Sequence, residues 1–424
     1  MKQIGIERRR LLKCSLGALL GLMSRDALAD ILAAAGGVDG KEAGSHGLLA
    51  AQSRLGENLI RYLAAHRTAS EGGNLIVSPA SLASILSFVD LGANNALRTA
   101  IHHALGFNRV TRRQVDEDLK ALRDGVSSII AHSDKQDGPL TLANLLAFDR
   151  SVKPRQLALL GLSGAGADVL VDNLGNVEIV DRINDWVKRK TRNLIPAILD
   201  EAPETLGLVA VNALYFKDKW RTEFDPAKTR PAKFQPVAGE PVDVPMMHSK
   251  VGSFAFREDD RFIAAELVYA HEDFRLVVVT TKSEPARPVE FGAVADWLGG
   301  QGFTMKNGEI AMPKLSLSAS EELLPPLDTL GLKPARLNKD ALDAFSPEEL
   351  IITRIVQKIE LRLAEEGTEA AAVTAAVATR SIGKPAEVRM TVDKPFVFAL
   401  RDQKSGLILF MGYVASPGKL RSSS

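Results

Sequence analysis

Apolar positions near helical spacing open the readable part of the chain. Leu48, Leu55, Leu59, Tyr62 and Leu63 predict an amphipathic helix. The run Asn74-Leu75-Ile76-Val77-Ser78-Pro79 then joins a short apolar strand to a helix start. Ser78 suits the N-cap and Pro79 the first helical position, where a missing N–H costs nothing. Leu82, Ile85, Leu86 and Val89 supply that helix's buried face, and Gly92 ends it. Further along, helical spacing over residues 183–195 around Trp186 alternates with strand-like runs at 208–216 and 274–281. Two last apolar runs, 396–400 and 407–414, flank a turn-like stretch at 401–406. No repeat of fixed period and no linker interrupts the pattern. It predicts an α+β protein with helices weighted toward the first half and strands toward the second.

Composition narrows the function more than the fold. The 424 residues suffice for one large domain or two to three small ones. With 53 Lys+Arg against 52 Asp+Glu, the chain lacks the basic balance of a protein built around nucleic acid. The single cysteine, Cys14, excludes an intramolecular disulfide, a paired-cysteine zinc site and a CxxC redox centre.

The amino terminus reads as an export signal. Arg8-Arg9-Arg10 and Leu11-Leu12-Lys13 precede a mildly apolar stretch from Ser15 to Met23, and Ala27-Leu28-Ala29 forms a small-residue cleavage site before Asp30. The arginine pair points to the twin-arginine type. The apolar run is too short and too broken by Gly and Ser to span a bilayer. The alternative is a basic amphipathic extension that stays on the protein. Lipidation at Cys14 fits poorly, because the apolar region follows the cysteine. Cleavage after Ala29 would leave a mature chain without cysteine, and residues 30–46, rich in Ala and Gly, read as a mobile leader.

Signatures of catalysis are missing from the sequence. None of the seven histidines sits in an HExxH arrangement. Gly161-Leu162-Ser163-Gly164-Ala165 comes within one residue of a nucleophile elbow, but Ala165 breaks it and a flexible Gly/Ala/Ser turn is the expectation. Neither GxxxxGK[ST] nor GxGxxG is present, so nucleotide chemistry has no anchor. Glu365 and Glu366 are adjacent, so in a strand their carboxylates would face opposite ways.

The unusual segment is Glu365-Glu366-Gly367-Thr368-Glu369-Ala370-Ala371-Ala372, continued by Val373-Thr374-Ala375-Ala376-Val377-Ala378 and Thr379-Arg380-Ser381-Ile382-Gly383-Lys384-Pro385. An Ala-rich helix or linker competes with an extended reading favoured by the β-branched Val373, Thr374 and Val377. When extended, Thr368, Ala370, Ala372, Thr374 and Ala376 share one face, uniformly small and uncharged. Such a strip can slide between two existing strands without voids or stranded charge.

With these residues in view the chain resembles the serpin family, whose reactive-centre-loop hinge looks like Glu365 to Ala372. Asn74 to Ser81 with Leu91-Gly92-Ala93, and Asn212-Ala213-Leu214-Tyr215-Phe216-Lys217 with Trp220 and Phe224, resemble two family blocks. Val244-Pro245-Met246-Met247, Met312-Pro313-Lys314, Asp393-Lys394-Pro395-Phe396 and Leu409-Phe410-Met411-Gly412 follow in the expected order. The resemblance covers about residues 48–420. It implies a single domain, 47–424, of three β-sheets and eight to nine helices, with an exposed loop at about 365–387. The implied activity is inhibition of a serine endopeptidase as a suicide substrate, not enzymatic turnover, with no cofactor and no metal. The implied partner is an extracytoplasmic serine protease, trypsin-like or elastase/subtilisin-like, held covalently by a secreted or periplasmic monomer that is liable to loop-sheet polymers.

Counting from Gly367 by the family's usual hinge length puts the scissile bond between Ser381 and Ile382, and one residue fewer puts it between Arg380 and Ser381. A lone arginine in an Ala/Val/Thr stretch suits a trypsin-like pocket, whereas Ser381 suits a small one. Ser78, Ser81, Asn212 and Gln357 match the shutter beneath the large sheet, and Trp220 matches the breach where the loop first enters. Ser78 also reads as the helix cap and Trp220 as a core aromatic. Two positions depart from the family: Gln357 replaces a shutter histidine, and Ala364 an asparagine before the hinge. A non-inhibitory binding or chaperone-like member is the alternative those departures leave open.

Overall fold

The computed structural model describes residues 47–66, 73–107, 111–133, 138–203, 207–283, 286–368 and 385–417. The 1–29 signal, the 30–46 leader, hinge positions Glu369 to Ala372 and the bond candidates Arg380, Ser381 and Ile382 lie outside them.

Helix α1 (Gly47–His66) buries Leu55, Leu59 and Leu63 but leaves Tyr62 half-buried, stacked on His66. Strand β1 (Leu75–Val77) leads into α2 (Pro79–Asp90). Ser78 caps it as the sequence predicts: its side chain accepts from the Ser81 N–H, and Pro79 opens the helix. Every residue of α2 is buried, and Ser81, Ser84 and Ser87 keep it slim enough to lie under a sheet.

The chain continues through α3 (Asn95–Ala104), α4 (Arg112–Ser133) and β2 (Leu140–Asp149). Next come α5 (Gln156–Gly164), β3 (Asp168–Asp172) and α6 (Glu178–Lys190). The broken elbow at Gly161 to Gly164 is the last turn of α5, not the expected flexible turn. Helix α6 starts and stops earlier than the 183–195 spacing indicates. Glu178 and Asp181 in its first turn and Lys188 to Lys190 in its last match the helix dipole. Left-handed Arg192 and Asn193 then stop it before Ile195.

Strands β4 (Leu208–Phe216), β5 (Asp218–Lys219), β6 (Arg230–Phe234), β7 (Val242–His248), β8 (Gly252–Glu258), β9 (Phe262–Val268) and β10 (Phe274–Thr281) follow. Then come α7 (Ala295–Leu298), β11 (Thr304–Pro313), β12 (Leu315–Glu322), α8 (Leu324–Thr329) and α9 (Leu332–Arg336). The last strands are β13 (Ile352–Leu363), β14 (Gly367–Thr368), β15 (Val388–Thr391), β16 (Phe396–Asp402) and β17 (Ile408–Val414). The nine α-helices among the described residues agree with the eight to nine expected.

Hydrogen bonding links the strands into two ladders. A ten-stranded one runs β1-β17-β16-β10-β9-β8-β11-β7-β6, with β15 also on β11. The first half of β11 pairs with β8 and its end with β7 and β15, so two curved sheets are joined through one strand. The other is the large sheet, β3-β2-β4-β13-β14-β5 with β12 on β13.

At its centre, β4 and β13 are parallel, Leu208 to Tyr215 facing Ile352 to Glu360. Alternation along β4 divides two cores. Leu208, Ala210, Leu214 and Phe216 join the main core, while Val209, Val211, Ala213 and Tyr215 pack with Ile179, Ile183, Trp186 and Val187 of α6. The main core covers one face, while on the other, beyond α6, β13 carries Arg354, Lys358, Glu360 and Arg362 half-exposed or exposed, so a strand added at the centre would bury one face fully and leave the other nearer solvent.

Candidate functional site

The hinge sits where β4 and β13 stop pairing. Beyond Tyr215 and Glu360 the two lines of chain separate, and β14 fills the space between them. Thr368 lies opposite Leu363 on one side and Asp218 on the other, antiparallel to both; Gly367 lies opposite Lys219. Gly367 has φ +150°, and a Cβ there would lie 2.1 Å from the Asp218 carbonyl oxygen, so only glycine fits.

A tight turn delivers it. The Ala364 N–H donates to the Gly367 carbonyl at 2.8 Å and the Gly367 N–H returns to Ala364 at 3.2 Å. Backbone atoms alone close this turn, so alanine serves where the family carries asparagine.

Trp220 braces the turn from below. Its Nε1 donates to the Ala364 carbonyl at 2.9 Å and its N–H to the Glu366 carbonyl at 2.8 Å. The indole stacks on Tyr269 with ring centroids 4.3 Å apart. Tyr269, itself fully buried, shares a 2.8 Å hydroxyl hydrogen bond with Thr368. Burial first, and the nearby Asp218 charge, push the Tyr269 phenol well above its ordinary range, so it stays protonated for this bond.

Glu365 is 8% exposed and makes an ion pair with Lys314 at 2.8 Å, while the Thr229 hydroxyl donates to it at 2.8 Å. Burial raises its pKa, but the bonds from Lys314 and Thr229 outweigh that and hold it below the ordinary value of 4.5. Glu366, in the same turn, has one buried oxygen lacking a partner among the described residues.

Lower down, four sequence-predicted residues meet beneath the β4–β13 seam. Gln357 Oε1 accepts from the Ser78 N–H at 3.0 Å, and its Nε2 donates to the Ser78 carbonyl at 3.3 Å and to Asn212 Oδ1 at 3.5 Å. Asn212 donates to Asn144 at 2.7 Å, and Asn144 to Ser84 at 3.1 Å. Asn144, Asn212 and Gln357 occupy one rung across β2, β4 and β13. Ser81 Oγ lies beside them, buried and without a partner among the described residues. This amide chain ties the seam to α2, and a carboxamide cannot titrate as a histidine would.

Tyr269, Lys314, Thr229, Asn144 and Ser84 carry no local signal for these roles. Lys314 stands in the quoted Met-Pro-Lys motif, but its tie to Glu365 exists only in three dimensions.

Comparison with known proteins settles the family. The family model described as serpin (serine protease inhibitor) matches residues 50–417. The chain is a serpin. It is 30% identical to the leukocyte elastase inhibitor of Bos taurus over 388 residues, covering 87% of this chain and 99% of that protein. Intracellular coagulation inhibitor 1 of Tachypleus tridentatus is 31% identical over 360 residues, covering 82% of this chain and 85% of that one. Among solved structures, the thermophilic serpin tengpin in its native state superposes with TM-score 0.74 at 22% identity, covering 89% of this chain and 96% of that one. Serpin48 of Tenebrio molitor gives 0.72 at 24% identity, covering 89% and 100%. This serpin has the α+β fold of its relatives nearly end to end.

Proposed function

We propose that this serpin inhibits an extracytoplasmic serine protease as a suicide substrate. The observation that carries the reading is β14: Gly367 and Thr368 form the first two residues of an antiparallel strand between β5 and β13, with the parallel β4–β13 seam closed below. A protease that attacks the loop forms an acyl-enzyme at Arg380 or Ser381. The cut end is then free to follow Thr368 down the seam, parting β4 from β13 and carrying the acylated protease to the opposite pole before deacylation.

Energy runs in that direction. One parallel pairing is exchanged for two antiparallel ones, the slightly more stable kind. About a dozen new residues gain ladder bonds at about 0.5–1.5 kcal/mol net each, and small apolar faces are buried at about 25 cal/mol per Å². A release on the order of 10 kcal/mol follows, which makes the uncut chain a kinetically trapped state. Gln357 and Trp220 are then the shutter and breach residues that hold the seam until the cut. The Gln357 bridge from α2 to β4 and the hinge turn closed by the Ala364 backbone support this reading over the non-inhibitory alternative. Export through residues 1–29 belongs to the same proposal. Among the described residues no helix is long and apolar enough to cross a membrane.

Incubation with trypsin and with pancreatic elastase tests the reading. At least one of them gives an adduct of serpin and protease that survives boiling in SDS, and the released carboxy-terminal peptide begins at Ser381 for the first bond or Ile382 for the second. Clean cleavage by both enzymes, with no adduct and full protease activity retained, would refute it.

A further inference from the structure

A second feature lies outside the hinge and the seam. A cleft of about 490 Å³ opens between the short helical turn Pro226–Lys228 and strands β6, β7, β11 and β15. That is far more than the roughly 10–15 Å³ a single water needs. Its wall carries Lys228, Arg230 and Arg389 against one carboxylate, Glu309. Arg389 pairs with Glu309 at 2.7 Å, whereas neither Lys228 nor Arg230 has a carboxylate partner among the described residues. His248 lines the same cleft, and its Nε2 is buried with no hydrogen-bond partner among them.

Surface cations ordinarily lie beside carboxylates or spread apart, because like charges repel. Here the helical turn, β6 and β15 bring three of them to one concavity. Low-dielectric walls strengthen the field inside such a cleft. Burial, then the Arg230 charge, lower the His248 pKa; Glu309 raises it and Lys228 lowers it further, so the ring feels both unpaired cations.

We propose that this cleft binds a compact anion built of linked phosphoryl groups, held by Lys228, Arg230 and Arg389, with His248 Nε2 hydrogen-bonding to it. Guanidinium forks match phosphoryl oxygens in pairs, the ammonium adds a point charge, and the imidazole nitrogen gains the partner it lacks. The site also touches the hinge through the chain: Thr229, between the two unpaired cations, is the residue whose hydroxyl holds Glu365. Binding itself is independent of whether the loop traps a protease, so it is tested on the uncut chain.

Titration calorimetry with sodium tripolyphosphate, inorganic phosphate and sulfate supplies the test, at low chloride so that screening is weak. Tripolyphosphate binds one per chain, more tightly than phosphate or sulfate. Lys228→Gln with Arg230→Gln weakens it about tenfold or more, the scale expected for losing two charge-assisted contacts. Glu309→Gln, which frees Arg389, tightens it, and Lys120→Gln on the distant exposed face of α4 leaves it unchanged. In the unmodified chain the His248 ring resonance shifts with the same saturation curve, a readout independent of how the variants fold. No binding at millimolar tripolyphosphate, equal loss in Lys120→Gln, an unmoved His248 signal, or weaker binding in Glu309→Gln would overturn the assignment.

Discussion

Ala372→Glu turns the chain from a trap into a substrate. Thr368 already lies buried on the main-core side of the large sheet, against Tyr269. A strand's period of two puts positions 370 and 372 on that same side as insertion proceeds. A carboxylate at 372 would have to enter the core unpaired, costing several kcal/mol. Each 1.4 kcal/mol on the insertion barrier is about tenfold in rate, while deacylation is untouched. The partition therefore moves by about a hundredfold or more toward hydrolysis: the loop is cut as fast as before, but the protease is released active. The measurement is the number of inhibitor molecules consumed per protease inactivated. Ala371→Glu, on the face that already carries Glu369, changes that number far less. Unaltered stoichiometry in Ala372→Glu would mean that this face is never buried.

Glu365→Lys opens the top of the sheet without any cut. The native carboxylate is buried with Lys314 and Thr229 as partners; the variant sets two ammonium groups against each other. Losing one member of a buried pair costs about 3–5 kcal/mol, and the partial exposure of Lys314 brings the expectation to about 2–3. For a chain of this size that lowers the unfolding midpoint by about 2–4 °C. The freed hinge and parted seam also favour insertion of one molecule's loop into another, seen as polymers on native gels after gentle warming. Lys314→Glu behaves alike, and the exchange Glu365→Lys with Lys314→Glu restores most of the loss, a coupling read from the double-mutant cycle. The pH dependence has a definite sign. The folded pKa of Glu365 lies below its ordinary value, so the stabilisation is complete above that value and is lost as pH falls through the lowered one. The stability gap between the native chain and Glu365→Gln is thus constant around neutrality and closes only below the usual carboxylate range.

What the sequence reveals here depends on how local each signal is. Strands β4 and β10 fall at the residues their apolar runs mark, and Ser78-Pro79 marks the start of α2 to the residue. These elements are governed by side chains a few positions apart. The 183–195 spacing misplaces α6 because burial of Ile195 belongs to the chain after the helix, once Arg192 and Asn193 have turned it. Gly161 to Gly164 reads as a loop by composition, yet it completes a helix whose preceding residues are good formers. At the site, Gly367 and the small-residue face are legible because insertion constrains them one residue at a time. Tyr269, Lys314 and Thr229 are not, since each meets the hinge across a long stretch of chain. Gln357 is legible as a departure, but its bridge from Ser78 to Asn212 needs the register that pairs Gln357 with Asn212.

On the proposed mechanism the uncut chain is a trapped state whose loop belongs in the large sheet. Thermal unfolding of the chain before and after a single cut within residues 369–384 measures this directly. A gain on the order of 10 kcal/mol predicts that the midpoint rises by about 10–15 °C on cleavage, with both fragments unfolding as one unit. A midpoint that stays the same or falls after the cut would contradict the claim.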